Sequence, residues 1–595
     1  MISQFGSFTS FQVNVNAIGR NILGDAANEP SIAVDPTSPN KMAIGWRQFD
    51  SVTSNFREAG WGYTADGGLS WTFPGVLENG VFRSDPVLNS DETGTFFDLS
   101  LQSDVNLSFY CDDLWRSKNG GQSWTLLSGE RGGGGGDKEW FTIDRTPTSM
   151  GHGFQYQYWA PGIFACASGQ FSRSIDGGAT WQTAINIPND AQLGTLDVNS
   201  NGNLFIGGGD TGNQFWCIRS SNAQNPAVTP SFDQITTVNL GGSMVFGGSI
   251  NPGGWVGQIF LVADRSGGPT NNNIYMLATI QPTGFSSGTD VMFARSTNGG
   301  QSFSAPRRIN DDPINHNKWH WFGTLSVAPN GRIDSVWLDT RNAVNNTDSQ
   351  LFYSWSTDGG INWAPNVAVS NSFNPFEGYP NQDKIGDYIT SVSDNTGADV
   401  AYSATFNFNV SLNQHEEDVY YVRVAPPASA LNLVSAVSRL THGPAGTFDI
   451  NMPLSGISGV ECRSATTYNA VFTFDAAVTS GEVTVSGGTA TVGAITFSGN
   501  SMTAQLTGVT PAEVVTLHTQ NINGDGQPHG DVQFGFLVGD ANGDRGVTKP
   551  DRDLVKGQLS QPVTSANFRD DLTADGRIKN ADIYVVKTNR GHSIP

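Results

Sequence analysis

The sequence has few charged residues, and positive charge is the scarcer sign. Asp and Glu number 54 and Lys and Arg only 32, which gives a formal net charge of −22 over 595 residues. A chain so short of positive charge is not expected to bind nucleic acid or an anionic membrane. It also has no run near the ~18 apolar residues of a membrane-spanning helix. These absences leave an acidic secreted protein or a calcium binder, with no membrane span.

Cysteine is scarce too, with four residues: Cys111, Cys166, Cys217 and Cys462. They lie far apart and lack the close spacing of a cysteine metal site. A disulfide among the first three and buried free thiols are both open. The opening MISQFGSF lacks the charged and apolar regions of a secretory signal, so we expect that a secreted form has already lost its signal.

Glycine, in contrast, is abundant: 71 of the 595 residues, about 12%, are glycine, whereas the average in proteins is roughly 7%. Pairs of glycines recur in a nine-residue phrase that occurs five times: YTADGGLSW (63–71), RSKNGGQSW (116–124), RSIDGGATW (173–181), RSTNGGQSF (295–303) and WSTDGGINW (355–363). Three of the four gaps between copies are 50–60 residues long, and the third gap along the chain is about twice as long. IRSSNAQNP at 218–226 fills this gap as a degenerate sixth copy.

A second pattern, an apolar strand, a turn and another apolar strand, recurs seven times, at 30–46, 85–101, 139–159, 194–209, 243–264, 322–339 and 387–404. Repeats of 50–60 residues with several short strands predict a propeller of four-stranded antiparallel blades. The last repeat lacks a fourth strand. Because an open ring would expose strand edges, we expect residues 10–16 to close the last blade.

The nine-residue phrase resembles the Asp-box, or BNR repeat, of the sialidase superfamily. The resemblance covers about residues 1–428 and implies a mainly β propeller fold, and the seven repeats make it a seven-bladed β-propeller where sialidases usually have six blades. It also implies that the boxes occupy turns on the face opposite the active site. Within each turn, the Asp or Asn side chain accepts backbone hydrogen bonds and the glycines allow positive φ.

Charged and aromatic residues concentrate where first strands begin and second strands end, which a ring gathers on one axial face. Carboxylates can act as acid and base, cations can bind an anionic group, and aromatic rings can stack on sugars. The catalytic candidates are Asp85, Glu139, Asp383, Asp387 and Tyr388, and the substrate-binding candidates are Arg47, Lys138, Arg265, Trp319, His320, Arg341 and Lys384. Structural ion pairing between blades is the alternative for each charged residue.

The family resemblance implies more specific roles. Sialidases clamp a carboxylate with three arginines and use a tyrosine nucleophile, a glutamate that assists it and an aspartate acid/base. The residues so implied are Arg47, Arg265 and Arg341 for the clamp, and Glu139 with Tyr379 or Tyr388 for the pair. The family's F/Y-R-I-P signature is absent. A sialidase-like glycoside hydrolase acting on an anionic polysaccharide or glycoconjugate and a non-catalytic glycan- or protein-binding propeller both remain open.

The pattern changes after the propeller. Residues 433–535 contain short alternating strands and predict an immunoglobulin-like β-sandwich. Residues 536–595 contain two loops with oxygen-bearing side chains at calcium-loop positions, namely Asp540, Asn542, Asp544, Thr548 and Asp551 in the first and Asp571, Thr573, Asp575 and Asp582 in the second. This pair of loops resembles a dockerin, a small α-helical module, which implies calcium as cofactor and a cohesin-like or cell-surface protein as partner. A secreted or cell-surface protein is expected.

Overall fold

The computed structural model describes residues 1–162, 164–210, 214–379, 381, 383–427, 431–524 and 527–595. The chain is mainly β and divides into two compact units, Met1–Pro426 and Pro427–Pro595. Residue 428, the predicted end of the first domain, lies outside the described residues. No helix in the described part of the chain combines the length and apolar character that a membrane span requires.

The first unit forms seven antiparallel sheets, numbered here in chain order. Sheet 1 contains Ala26–Val34, Met42–Phe49, Glu58–Thr64 and Thr72–Val76, and sheet 2 contains Arg83–Ser90, Phe96–Gln102, Cys111–Ser117 and Thr125–Leu126. Sheet 3 contains Trp140–Ile143, Gln155–Tyr158 and Phe171–Ser174, and sheet 4 contains Leu196–Val198, Leu204–Gly209, Phe215–Ser220 and Gln234–Val238. Sheet 5 contains Phe260–Ala263, Ile274–Pro282, Asp290–Ser296 and Arg307–Arg308, with Gly242–Ser243 beside its second strand. Sheet 6 contains His320–Val327, Ile333–Asp339, Gln350–Ser356 and Val367–Ala368, and sheet 7 contains Thr390–Ser393, Ala398–Asn409 and Gln414–Val424.

The first strands of the seven sheets contact one another in a closed cycle. Ala26–Val34 of sheet 1 contacts Arg83–Ser90 of sheet 2, the contacts continue through the sheets in order, and Thr390–Ser393 of sheet 7 returns to Ala26–Val34. We call the end where these strands begin the axial end. The turns between first and second strands lie at the opposite end, the turn end.

Sheet 7 takes its outer strands from the start of the chain. Phe8–Gln12 pairs antiparallel with Gln414–Val424, and Ile2–Phe5 pairs with Phe8–Gln12. The strand predicted at 10–16 therefore begins two residues earlier and ends at Gln12, after which the Val13 N–H donates to the Val419 carbonyl. This pairing covers the edge of the third strand.

The repeated phrase forms the turn between third and fourth strands. In sheet 1, the Asp66 carboxylate accepts the backbone N–H of Ser70 at 3.0 Å, and Gly67 and Gly68 have φ of 77° and 84°. The degenerate copy keeps part of the arrangement: the Ser220 hydroxyl donates to Asn222 at 3.1 Å, as the Thr64 hydroxyl does to Asp66, but Asn222 accepts the N–H of Ser231, nine residues further on, at 2.8 Å. The side chain thus replaces backbone partners that a tight turn leaves unsatisfied.

The four cysteines take two states. Cys111 and Cys166 form a disulfide with 5.1 Å between their Cα atoms, whereas Cys217 and Cys462 are buried free thiols. The disulfide joins sheet 2 to the segment that follows the second strand of sheet 3.

The second unit packs two sheets and two helices around one core. The strands of the five-stranded sheet lie in the order Thr447–Met452, Leu433–Thr441, Thr467–Phe474, Ser501–Thr507 and Thr491–Ser498. The strands of the four-stranded sheet lie in the order Gly459–Glu461, Pro528–Phe536, Glu513–Gln520 and Glu482–Gly487. The two helices are Lys549–Gly557 and Asn580–Asn589. Val555 and Val586 of the helices lie in the same hydrophobic cluster as Phe534 of the sandwich. The segments predicted as separate domains therefore share a core.

Candidate functional site

The axial end carries a backbone feature that recurs in all seven sheets. Near the start of each first strand one residue has positive φ: Glu29 (52°), Asp85 (46°), Lys138 (59°), Leu193 (63°), Gly257 (150°), Phe322 (54°) and Gly386 (102°). A residue with a side chain loses roughly 1–2 kcal/mol in this left-handed conformation. Such strain persists only where the surroundings impose it, and it concentrates at functional sites.

Five charged side chains meet at this end and form what we call the axial cluster: Glu29, Asp85, Lys138, Lys384 and Asp387. Lys138 Nζ lies 2.7 Å from Asp85 Oδ2 and 2.5 Å from Asp387 Oδ2. Lys384 Nζ lies 2.7 Å from the same Asp387 oxygen and 3.1 Å from Glu29 Oε1. No side chain of the cluster is more than 11% exposed. The cluster joins sheets 1, 2, 3 and 7 through ion pairs.

The charges set the protonation of the cluster. Burial favours the neutral form of Asp85 and Asp387, but Lys138 and Lys384 outweigh it and hold the pKa of both carboxyls below its usual range. Burial raises the pKa of Glu29 to about 7 despite the opposing charge of Arg47. The carboxylates of Glu29, Asp85 and Asp387 converge closely enough to hold a cation. The ammonium groups of Lys138 and Lys384 already supply positive charge to these three carboxylates.

Arg47 and Arg57 extend the positive charge beside this cluster. Arg47 Nε lies 3.1 Å from Glu29 Oε2 and donates to Asn28 Oδ1 at 2.7 Å. Arg57, which the sequence patterns do not single out, donates from Nε to Ser84 Oγ at 3.1 Å and lies 4.3 Å from the Phe82 ring centre. Within the described part of the chain no carboxylate forms an ion pair with Arg57. Burial, with the nearby Arg47 charge, lowers its pKa to about 10.

A tyrosine and two carboxyls lie on the same end. The hydroxyl of Tyr379 is buried and makes no hydrogen bond to a described residue. Burial raises its pKa, and the charges of Glu417 and Asp383 add to this effect. Burial also raises the pKa of Glu417, which lies close to Arg47. Asp383 is exposed. Glu417 sits within the third strand of sheet 7, and only the fold reveals its position.

Two further carboxyls flank Lys138 in the chain. Asp137 is half-buried, and burial raises its pKa although Lys138 opposes the shift. Glu139 is 1% exposed, and among the described residues neither of its carboxyl oxygens has a hydrogen-bond partner. Burial and the nearby Asp112 raise the pKa of Glu139. Asp137 is therefore the accessible member of this pair, and Glu139, a predicted catalytic residue, is enclosed.

Two predicted site residues belong to the core. Tyr388 is 1% exposed, donates from its hydroxyl to the Pro86 carbonyl at 2.8 Å and packs against Trp140 at 5.4 Å. Trp319 is 4% exposed and lies in the hydrophobic cluster with Phe322. The sequence places both at the site because each lies beside a charged segment near a strand start, whereas the structure buries both side chains in hydrophobic clusters.

His320 and Arg341 belong to a separate ionic network between sheets 5 and 6. His320 Nε2 lies 3.0 Å from Asp312 Oδ1, and Arg341 lies 2.8 Å from Asp339 and 2.6 Å from Asp311. Burial lowers the pKa of His320, but Asp339 and Asp312 outweigh it and the net shift is upward. These two residues already have counter-charges, and the ion pairs described for them do not reach the axial cluster.

Arg265 lies at the turn end, away from the other candidates. The sequence pattern takes residues 243–264 as two strands of one blade, which would put Arg265 after a second strand. Phe260–Ala263 is instead the first strand of sheet 5, so Arg265 enters the following turn. There it lies 2.5 Å from Asp197 Oδ1. The three-arginine clamp is therefore not assembled from Arg47, Arg265 and Arg341.

The two loops of the second unit differ in how well they fit calcium. In the first, the carboxylates of Asp540, Asp544 and Asp551 converge closely enough to hold one ion. In the second, His442 Nδ1 lies 2.9 Å from Asp571 Oδ2, both side chains are fully buried, and Lys579 pairs with Asp575. Among the described residues, the second loop gathers no such group of three. The first loop fits the ion and the second does not.

Comparisons with known proteins assign no family. No protein-family model matches the chain, and no curated protein matches it. Solved structures with some likeness include a protein of unknown function from Dyadobacter fermentans (13% identity, TM-score 0.39, covering 70% of this chain and 98% of that one). Others are phage phi92 endosialidase (10%, 0.38, 77% and 77%) and a polysaccharide lyase, an ulvan lyase (9%, 0.39, 67% and 94%). Likenesses this low carry no argument about function.

Proposed function

We propose that the first unit is a seven-bladed propeller that acts as a glycoside hydrolase of sialidase-like type on an anionic glycan at its axial end. The observation that carries this proposal is the buried Tyr379 hydroxyl, which has no hydrogen-bond partner among the described residues. The charges of Glu417 and Asp383 lie close enough to raise its pKa further. A phenol left without a hydrogen bond in a buried place costs free energy. A catalytic role for Tyr379 would explain why the protein retains this unfavourable arrangement.

In the proposed reaction, Tyr379 is the nucleophile and Glu417 accepts its proton. The phenolic oxygen bonds to the anomeric carbon as the glycosidic bond breaks, and Asp137 protonates the leaving oxygen. Water then attacks the anomeric carbon, Asp137 takes its proton, and the released phenolate regains its proton from Glu417. The raised pKa of Asp137 suits a general acid.

Cations bind the anionic part of the substrate in this proposal. Arg57 has hydrogen bonds to Ser84 and Asn55 but no ion pair among the described residues. It can therefore accept a carboxylate or sulfate without breaking an existing pair. Lys138 and Lys384 are buried, and their ammonium groups already pair with Asp85, Asp387 and Glu29.

A hydrolysis screen tests this function. The purified chain is assayed against fluorogenic sialosides and against uronic-acid and sulfated polysaccharides. Tyr379→Phe is expected to lower the rate on any substrate found by roughly 10³-fold, because the nucleophile is lost. Tyr584→Phe, an exposed tyrosine of the second unit, is the matched control and should leave the rate unchanged. Equal rates for Tyr379→Phe and wild type would reject the mechanism.

A second candidate function is a non-catalytic, glycan- or protein-binding propeller. The observation in its favour is that every member of the axial cluster forms an ion pair within the chain. Ion pairs that hold neighbouring sheets together require this pairing, whereas a catalytic site does not. Saturable binding of an anionic glycan with no turnover of any substrate in the screen would favour this reading.

We further propose that the protein is secreted, that the first loop of the second unit binds calcium, and that this dockerin-like module docks onto a cohesin-like or cell-surface protein. Support for secretion comes from the Cys111–Cys166 disulfide, since such bonds persist in oxidising compartments. Asp540, Asp544 and Asp551 would supply hard oxygen ligands to the ion, which would hold the loop together.

A further inference from the structure

A cavity of about 480 Å³ opens at the turn end of the ring, and its walls come from the first strands of all seven sheets. This volume is within the range of small-molecule sites, roughly 300–1,000 Å³. The proposed glycan site does not use it, because that site lies at the opposite end of the same strands. We call this cavity the turn-end well.

The well is closed at its inner end by aromatic rings. Trp140 packs edge-to-face against Phe260 at 5.7 Å and against Tyr388 at 5.4 Å. Trp140 follows Lys138 by two residues, so the axial cluster lies beyond this floor. Leu88, Leu196 and Leu325 are among the apolar residues of the walls. The inner part of a ligand that enters from the turn end therefore meets aromatic and apolar side chains.

The mouth of the well carries a guanidinium that forms no ion pair among the described residues. Arg145 donates from Nε to the Ser90 carbonyl at 2.6 Å and from Nη2 to the Asn89 side chain, and within the described residues it forms no ion pair with a carboxylate. Burial lowers its pKa to about 10, and the charge of Arg265 adds to this effect.

The carboxylates around the mouth are already used. Asp197 pairs with Arg265 at 2.5 Å, and Glu92 lies 2.7 Å from His152. Asp394 and Asp399 both pair with Arg423, at 2.6 and 2.9 Å. Arg145 is thus a cation at the mouth that forms no ion pair among the described residues, although the charges of Asp197, Asp91 and Glu92 oppose the fall in its pKa. Burying an unpaired charge is unfavourable.

We propose that the turn-end well binds an amphipathic monocarboxylate, with its apolar body against Trp140 and Phe260 and its carboxylate on Arg145. A guanidinium binds a carboxylate through two parallel hydrogen bonds, which an alcohol or an ammonium group cannot accept in the same way. Three residues of extended strand separate the floor from Ile143, and the head group lies just beyond, so the ligand spans roughly 10–15 Å. A medium-chain acid has this form.

Decanoate is a suitable probe, and its binding to the full-length chain can be followed by calorimetry and by the tryptophan fluorescence that Trp140 contributes. Saturable binding of one decanoate per chain is expected. Decanol and decyltrimethylammonium, with the same chain length, should bind at least 10-fold more weakly. Absence of saturable decanoate binding, or equal binding of decanol, would overturn the proposal.

Two variants test the residues. Arg145→Gln should weaken decanoate at least 10-fold and leave decanol unchanged, whereas Arg116→Gln, a half-exposed arginine of sheet 2, should change neither. Val262→Trp adds volume inside the well from a partly exposed wall position and should abolish binding of both. If Arg145→Gln does not fold, Val262→Trp and the head-group comparison still decide. Unchanged decanoate binding to Val262→Trp would place the ligand elsewhere.

Discussion

Lys138 shows how the axial end balances strain, burial and charge within one residue. Its backbone is left-handed with φ of 59°, and its ammonium group lies between Asp85 and Asp387. Burial disfavours the ammonium ion, but the two carboxylates outweigh it and raise the pKa of Lys138. The conformation that places the side chain here is sustained by the ion pairs that it makes.

Lys138→Met is expected to destabilise the first unit by about 3–5 kcal/mol, because removing one partner leaves buried carboxylates without their counter-charge. Lys118→Met, at an exposed position in the turn of sheet 2, is the control and should change stability by less than about 0.5 kcal/mol. Denaturant unfolding measures both. A loss below about 1 kcal/mol for Lys138→Met would contradict a structural role for the cluster.

Asp98 makes the stability of the first unit depend on pH. It is fully buried, its oxygens have no hydrogen-bond partner among the described residues, and burial raises its pKa to about 7 although Arg83 opposes the shift. Between pH 4 and 7 the folded chain keeps a proton that the unfolded chain has lost. Stability therefore falls as pH rises through this window.

Asp98→Asn should flatten this dependence, since asparagine does not titrate. One pKa unit corresponds to about 1.4 kcal/mol, so the wild type should lose at most about 4 kcal/mol more than the variant between pH 4 and 7. Melting curves across this range provide the measurement, with the exposed Asp50→Asn as control. Parallel pH profiles for wild type and Asp98→Asn would refute the assignment.

At the scale of elements, the repeated turn has two glycines with different roles. In sheet 3, Gly177 has φ of 72° and a Cβ there would meet nothing within 4 Å. Gly178 has φ of 90°, and a Cβ there would lie 2.2 Å from Leu114 Cδ2 and 2.7 Å from Gln155 Oε1. The first glycine supplies the conformation alone, and the second also allows neighbouring sheets to approach.

Gly177→Ala should cost roughly 1–2 kcal/mol, the penalty of the left-handed conformation. Gly178→Ala adds a clash with neighbouring side chains, so we expect it to cost at least about 2 kcal/mol more. The two neighbouring substitutions control for each other in a denaturant titration. Equal costs would show that close packing does not explain the second glycine.

Sequence periodicity predicts elements better than it predicts register. The spacing of the nine-residue phrases and the alternating apolar pattern give the number and order of strand pairs. In residues 243–264, however, two apolar stretches look alike, and only the pairing of Phe260–Ala263 with Ile274–Pro282 identifies the first strand. Because of that ambiguity, the sequence analysis placed Arg265 at the axial end, whereas it lies at the turn end.

The candidate site shows the same limit. Glu29, Asp85, Lys138, Lys384 and Asp387 lie at strand starts, where the repeat places them, so their meeting can be anticipated. Arg57, just before the third strand of sheet 1, and Glu417, within the third strand of sheet 7, lie at positions that no sequence pattern marks. The ion pairs of His320 and Arg341 depend on contacts between sheets that are distant in sequence.

At the scale of the whole molecule, the loops of the second unit predict a calcium response with a defined stoichiometry. Asp544→Asn removes one negative charge from the three carboxylates that converge in the first loop, whereas Asp575→Asn alters the loop in which Lys579 already pairs with that aspartate. Calcium should raise the melting temperature of the second unit equally in wild type and Asp575→Asn, and clearly less in Asp544→Asn.

Calorimetry with and without a chelator measures this response, and the transition of the first unit serves as an internal control because it should not move. One calcium ion per chain is expected in native mass spectrometry. Two ions, or a response lost in Asp575→Asn and kept in Asp544→Asn, would reverse the assignment of the two loops.

The account as a whole assigns glycan recognition to the axial end and not to the turn end. Titration of anionic oligosaccharides into wild type, Arg57→Gln and Arg145→Gln separates the two ends directly. We predict saturable binding to wild type, at least 10-fold weaker binding to Arg57→Gln, and unchanged binding to Arg145→Gln. Binding that survives Arg57→Gln intact, or that is lost in Arg145→Gln, would contradict the assignment.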